Sequence, residues 1–257
     1  SNMKISFKFL IIALSWCIIS GLAGAQNKYR DHRSLVRVSE ALGKEHSALC
    51  TVKSIAKSSG GRDILVLIIG TGDRDNKPGI AVLGGIEGSH LAGRELATGL
   101  ADYLLKNSGS AEIKNMLNKV TFYVIPDVSP DASEQYFQGL KYERNVNSRP
   151  VDDDRDFETD EDPFDDLNND GLITMIRVAD PAGKFMISPE DERIMVEADL
   201  SKGQTGSYTL YSEGIDNDKD GKFNEDGPGG VNFNRNLTYN YEEFGNGSGL
   251  HPVSEPE

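Results

Sequence analysis

Residues 79–105 read GIAVLGGIEGSHLAGRELATGLADYLL, and the order of elements in this stretch decides the fold. Ile80 to Leu83 is a short apolar run ended by Gly84-Gly85, the mark of a strand leaving a buried sheet. Ile86-Glu87-Gly88-Ser89-His90 is a polar turn. From Leu91 to about Leu105 the apolar residues recur at helical spacing, with Leu96, Leu100 and Leu104 on one face at i, i+4, i+8.

The same alternation extends outward. Upstream, Asp63 to Ile69 (DILVLII) is almost wholly apolar, as a strand buried on both faces would be. A polar loop, Thr71 to Pro78, separates it from Ile80. Downstream, Val120 to Ile125 (VTFYVI) is a further strand, and Pro126-Asp127 ends it. Before them, Leu35, Val38 and Leu42 share one face of a short helix. Leu49 to Ala56 then reads as a strand, closed by the turn Ser58-Ser59-Gly60-Gly61. Strands alternating with helices predict an α/β fold: a mixed, mostly parallel sheet with helices on both faces.

The 257-residue chain carries a net charge of −14, distributed unevenly. Residues 151–230 hold 23 acidic and 7 basic side chains, while the rest is close to neutral. This segment reads as an acidic, loop-rich insertion whose likeliest strands are Leu172 to Val178 and Tyr208 to Tyr211. No basic patch exists to meet phosphates, so nucleic acid is excluded as a partner. Lys4 and Lys8, the apolar run Phe9 to Leu22 and the small residues Ala23-Gly24-Ala25 form a secretory signal. Residues 1–25 are therefore expected to be removed, leaving 26–257 as one domain, secreted or periplasmic. No membrane span is expected after that cleavage. Cys17 departs with the signal, so Cys50 has no internal disulfide partner.

Two loops in the insertion have the spacing of calcium ligands. Asp216-Asn217-Asp218-Lys219-Asp220-Gly221 places carboxylates at positions 1, 3 and 5 and glycine at 6, with Glu225 and Asp226 following. Asp166-Leu167-Asn168-Asn169-Asp170-Gly171 repeats the pattern with Asn168 in the middle. Neither has glutamate at position 12, where Gly227 and Arg177 stand, so neither is a full helix-loop-helix site. Ca2+ bound through Asp166, Asn168 and Asp170 and through Asp216, Asp218 and Asp220 is one reading; solvated acidic turns are the other. Asp152, Asp153, Asp154 and Asp156 form a further acidic run.

Three stretches, and the tail beyond them, resemble the zinc carboxypeptidase family. Ile55 to Ile64 (IAKSSGGRDI) is similar to its opening hairpin, and Gly84 to Glu95 to its zinc-ligand loop and following helix. Gly230-Val231-Asn232-Phe233-Asn234-Arg235-Asn236 resembles its "GVDLNRNF" segment, and the tail from Ser248 to Glu257 its "SGxxPxSEPE" stretch. The likeness spans about residues 50–245 and is interrupted by the insertion. It implies Zn2+ held by Glu87 and His90, although the family places His first and Glu three residues later. Loss of zinc with His90 as a substrate contact, and an ordinary polar loop, are the alternatives. The resemblance also implies that Asn234 and Arg235 hold the terminal carboxylate of a peptide substrate. It implies an arginine that polarises the scissile carbonyl, here Arg144 in preference to Arg149. The third zinc ligand and the catalytic glutamate are expected beyond residue 257, because His251 follows Arg235 too closely. The last strands of the sheet are expected there too, leaving this fold incomplete at its C-terminus. The implied function is a secreted zinc-dependent carboxypeptidase that removes C-terminal residues from peptides. A non-catalytic peptide-binding protein on the same scaffold, or a calcium-stabilised surface protein, are the alternatives.

Overall fold

The computed structural model describes residues 29–152, 157–221, 223–224 and 226–257. Residues 1–28, which include the expected signal, and Asp153, Asp154, Asp156 and Glu225 lie outside the described residues. Residues 31–257 form one compact unit. It opens with α1 (His32–Glu45), capped by Asp31, whose carboxylate accepts from the Ser34 N–H at 2.8 Å. Hydrogen bonding from the Ser34 hydroxyl, and then from its N–H, holds the Asp31 carboxyl below its ordinary range. Leu35 and Leu42 are buried and Val38 packs beside them, as the sequence spacing predicts.

β1 (Cys50–Lys57) and β2 (Asp63–Ile69) form an antiparallel hairpin with a bulge between Ser54 and Ala56. β3 (Gly79–Leu83) leads through α2 (Leu91–Lys106) and α3 (Ala111–Lys119) to β4 (Thr121–Ile125). The strand order is β1-β2-β4-β3. The sheet is mixed, as expected, but its parallel share is smaller: only β3 and β4 pair in parallel. The reason is connectivity. The short turn after β1 can only return antiparallel, and a parallel neighbour needs a crossover, which the α2–α3 path alone supplies.

Leu67 and Ile69 of β2 and Phe122 and Val124 of β4 share one face by alternation. Leu42, Leu104, Leu105, Ile113 and Leu117 from α1, α2 and α3 close over that face as a single cluster. The buried face of α2 also differs from the expected stripe. Ala97, Thr98, Ala101, Leu104 and Leu105 are inside with Arg94, while Leu96 is 74% exposed. Small residues let the helix approach the sheet, and Arg94 is drawn in by a carboxylate described below.

A second four-stranded sheet lies within the acidic segment, so that segment is more ordered than loop-rich. β5 (Met175–Ala179), β6 (Phe185–Ile187), β7 (Met195–Glu197) and β8 (Tyr208–Ser212) are arranged β5-β8-β6-β7, all antiparallel. β5 and β8 are the two strands the sequence predicts; β6 and β7, three residues each, are too short to announce themselves. α4 (Pro130–Glu134) is a single turn after β4. Among the described residues, no helix is long and apolar enough to cross a membrane.

Candidate functional site

The turn carrying Glu87 and His90 is fastened to the chain leaving β4. Val128 N–H donates to Gly84 O at 2.9 Å, Ser129 N–H to Gly85 O at 3.0 Å, and the Ser129 hydroxyl to Ile86 O at 2.9 Å. Gly85 has φ +62°, and a Cβ there would stand 2.4 Å from Asp127 Oδ1, so glycine is required. A Cβ at Gly88 would meet Ala132 at 2.3 Å and Arg144 O at 2.6 Å. Two close approaches thus press the turn onto residues 127–132 and 144. His90 N–H closes the turn on Glu87 O at 3.0 Å, and Asn145 Oδ1 accepts from both the N–H and the hydroxyl of Ser89. Glu87 is half-buried and His90 is exposed at the mouth of α2.

Beneath the turn lies a charged pair that the sequence did not disclose. Arg94 is 1% exposed, and its Nε stands 3.0 Å from Asp127 Oδ2, off the line of a hydrogen bond. The Ser133 hydroxyl donates to the same carboxylate at 3.0 Å, and the Phe137 ring lies 5.8 Å from the Arg94 guanidinium carbon. A second buried carboxylate, Asp131, accepts from Ser58 Oγ at 2.6 Å, Gly60 N at 2.8 Å, Arg62 Nη1 at 2.8 Å and Ser148 N at 3.0 Å. Burial pushes the Asp131 carboxyl upward, but these donors outweigh it and hold the group below the usual range. The only advance sign of either acid is the repeated Pro-Asp after a strand end, Pro126-Asp127 and Pro130-Asp131.

Asn234 and Arg235 sit on a tight turn, Phe233–Arg235, capped by Asn232, whose Oδ1 accepts from Asn234 N–H at 2.8 Å. Asn147 pins the preceding residue: its N–H donates to Val231 O at 2.8 Å, and its side chain accepts from Val231 N–H at 3.3 Å. The Asn234 side-chain amide donates to Glu87 Oε1, joining residues 147 positions apart. Arg235 is exposed beside it and, among the described residues, pairs with no carboxylate. The structure therefore brings Asn234 to Glu87, with His90 on the same turn as Glu87 and Arg235 next to Asn234 in the chain.

Arg144 comes close through its backbone, under Gly88, but its guanidinium is turned to Val146 O at 3.0 Å, Asn147 O at 2.8 Å and Ser148 Oγ at 3.1 Å. Arg149 pairs with Glu255, which also accepts from Asn147 and Ser59. The Ser254-Glu255 tail is thereby tied to the opening hairpin, and buried Asn236 accepts from both Ser254 N–H and its hydroxyl.

The calcium-like loops lie away from this cluster in sequence and share one conformation. Asn169 and Gly171 have φ +59° and +81°; Lys219 and Gly221 have +74° and +96°. In each loop the first aspartate accepts from the glycine N–H, at 2.8 Å for Asp166 and 3.1 Å for Asp216. Oxygens of Asp216, Asp218 and Asp220 lie within 4.8 Å of one another. The Asp220 N–H draws the Asp218 carboxyl down, but desolvation and the charges of Asp216 and Asp220 push it up overall. Buried Glu213 accepts from Leu167 and Asn168 N–H in the first loop, and buried Asp162 from Asn217 and Asn224 N–H in the second. Each loop is thus braced by an acid that lies a few residues before the other loop.

A carboxylate and an imidazole on one turn are chemically suited to zinc, which takes both at about 2.0–2.2 Å. Comparison with known proteins bears on the same stretch. Residues 35–174, just over half of the chain, match the profile of the zinc carboxypeptidase family. Mouse carboxypeptidase M is 25% identical over 117 residues, which is 44% of this chain and 26% of that protein. Rat carboxypeptidase Z is 27% identical over 111 residues, 41% of this chain and 17% of that protein. The chain thus matches about a quarter or less of the length of these relatives. Among solved structures, carboxypeptidase A from Helicoverpa armigera is similar, with 19% identity and a TM-score of 0.43 over 52% of this chain and 35% of that one. With the profile spanning the turn of Glu87 and the strands that hold it, the chain belongs to the zinc carboxypeptidase family.

Proposed function

We propose that the whole protein is a zinc-dependent carboxypeptidase acting outside the cytoplasm on peptides with a free C-terminal carboxylate. In this reading, the present chain supplies two metal ligands, Glu87 and His90, and the carboxylate anchor. The observation that carries it is the meeting of Glu87 with Asn234 across 147 positions. Bound zinc would polarise the scissile carbonyl and lower the pKa of a water molecule. The chain's own residues bind and orient. The exposed Arg235 guanidinium offers a bidentate fork to the peptide carboxylate, with the Asn234 amide beside it. Arg144 holds the loop that carries Asn147 against Val231, and so sets the position of that anchor.

The test uses the full-length protein, its zinc content and its action on paired peptides. Stoichiometric zinc and chelator-sensitive release of the last residue, from free-acid but not amidated peptides, support the reading. A metal-free protein without such release overturns it. The second reading, a peptide-binding protein without turnover, is favoured by the reversed order of Glu87 and His90. Free-acid peptides would then bind and remain intact. For the compartment, a mature N-terminus at Gln26 in exported protein is the expected result, and an intact N-terminus overturns it.

We further propose that the acidic segment binds calcium at both loops. The support is their common backbone conformation and the convergence of Asp216, Asp218 and Asp220. Calorimetry with millimolar calcium should show binding; no heat of binding would remove the proposal.

A further inference from the structure

The segment from Asn232 to Asn236 presents three amides and one guanidinium, Asn232, Asn234, Asn236 and Arg235, and no acid. Of these, Asn234 reaches the metal-loop turn, while the Asn232 and Asn236 side-chain oxygens accept from Asn234 N–H and Ser254. That composition matters because of what stands opposite. An imidazole ligand is oriented by an acceptor on its free ring N–H, a carboxylate or a carbonyl. A carboxylate ligand has no proton to give and must be oriented by a donor. Glu87 is such a carboxylate, and the Asn234 amide donates to its Oε1.

Asn234 reaches that position already ordered. Its own N–H is bound to Asn232 Oδ1 at 2.8 Å. The turn is closed by Arg235 N–H on Asn232 O at 3.0 Å and Asn236 N–H on Phe233 O at 3.2 Å. Glu87 arrives equally constrained, since its turn is fastened to β4 through Gly84, Gly85 and Ile86. The contact uses Oε1, so a cation would take Oε2. The amide keeps a second N–H, which a peptide carboxylate could take.

We propose that Asn234 is a positioning residue for the metal ligand Glu87, so that one side chain orients the metal ligand as well as adjoining the substrate anchor. The reversal of the ligand order is thereby accompanied by a matching donor on the facing segment. This inference rests on Glu87 being a zinc ligand.

The experiment measures zinc affinity of the full-length protein by competition with a chromophoric chelator. The proteins are wild type, Asn234→Leu, Glu87→Ala and the double variant. Asn234 is exposed, so Asn234→Leu should fold, and its circular dichroism should match wild type. Loss of an orienting partner costs about 10–100-fold in metal affinity, and Asn234→Leu should show that loss. In the Glu87→Ala background the same substitution should cost nothing further, since its effect passes through Glu87. Asn234→Asp removes the donor and sets a second carboxylate against Glu87, so it should lose at least as much zinc affinity as Asn234→Leu. Wild-type affinity in Asn234→Leu, or an equal loss with and without Glu87, overturns the inference while leaving zinc binding intact. A wild-type protein that takes no zinc overturns the metal reading itself, and the wild-type arm shows this alone.

Discussion

The sheet of residues 31–132 and the acidic segment of residues 160–226 are stabilised by opposite means. In the first, the buried side chains are mostly apolar, and Leu67, Ile69 and Val124 have no exposure at all. In the second, among the described residues, the buried side chains with ionisable groups are Asp162, Glu213 and Asp226, and the buried apolar core contains none of its residues. These acids accept backbone N–H groups: Asp162 from Asn217 and Asn224, Glu213 from Leu167, Asn168 and Thr174, Asp226 from Asp160. Burying apolar area is insensitive to ions, whereas an array of carboxylates depends on what neutralises it. The comparison teaches that the two regions should respond to different perturbations.

Truncating the apolar core should give the largest effect. Leu67→Ala removes a side chain with no exposure between α1, α2 and β4, and should cost about 2–5 kcal/mol in denaturant unfolding. Val178→Ala on β5, where Val178 is 45% exposed, should stay within about 0.5 kcal/mol. Equal losses at the two positions would break the comparison. The next effect belongs to Asp131, which with Asp127 carries a buried carboxylate into the apolar region. Asp131→Ala leaves Ser58, Gly60 and Ser148 without their acceptor, a loss of about 3 kcal/mol. Its folded pKa is depressed, so its contribution is present above the unfolded value of about 3.9 and is lost as pH falls through the folded value. Acid titration of stability should therefore be flatter in Asp131→Ala than in wild type below about pH 4. An unchanged slope would remove Asp131 as the hub.

The apolar region is also the part that sequence reveals best. β2 begins and ends where the run DILVLII does, because an apolar stretch bounded by polar turns has one reading. The span of α2 follows from its periodicity, but its buried face does not. Leu96 looks interior by spacing, yet Asp127 takes in Arg94 and turns Leu96 outward. Glu87, His90, Asn234 and Arg235 each stand out as single residues. The Glu87–Asn234 contact does not, since it is made only when the fold closes a loop of 147 residues. The bracing acids Asp162 and Glu213 were hidden by composition: in so acidic a segment every carboxylate looks solvated until its backbone donors are seen.

Calcium should act on the acidic segment first. A ligand that binds only the folded loops adds about 2.7 kcal/mol when present at 100 times its dissociation constant. Limited proteolysis within residues 160–226 should slow accordingly in calcium and recover its speed in chelator. Asp216→Asn with Asp220→Asn should abolish the protection at the second loop, whose three carboxylates converge within 4.8 Å. Proteolysis indifferent to calcium would mean that the loops are braced by Asp162 and Glu213 alone.

Cys50 supplies the smallest effect and the sharpest control. It lies in β1 within the apolar cluster, and burial pushes its thiol up to about 11. At pH 8 a thiol with that pKa is about one part in a thousand thiolate, and Cys50 is only 3% exposed. Labelling by a thiol reagent should consequently await opening of the sheet, and its rate should rise in Leu67→Ala. Calcium at the concentration that protects the acidic segment should leave the rate unchanged, because the two regions are stabilised separately. A calcium-dependent labelling rate would show instead that the loops stabilise the sheet as well, through the bridge between Lys141 and Leu172. Disrupting the first loop with Asp166→Asn would then accelerate Cys50 labelling more than disrupting the second, since Lys141 N–H is bound to Gly171 O of that loop at 2.9 Å.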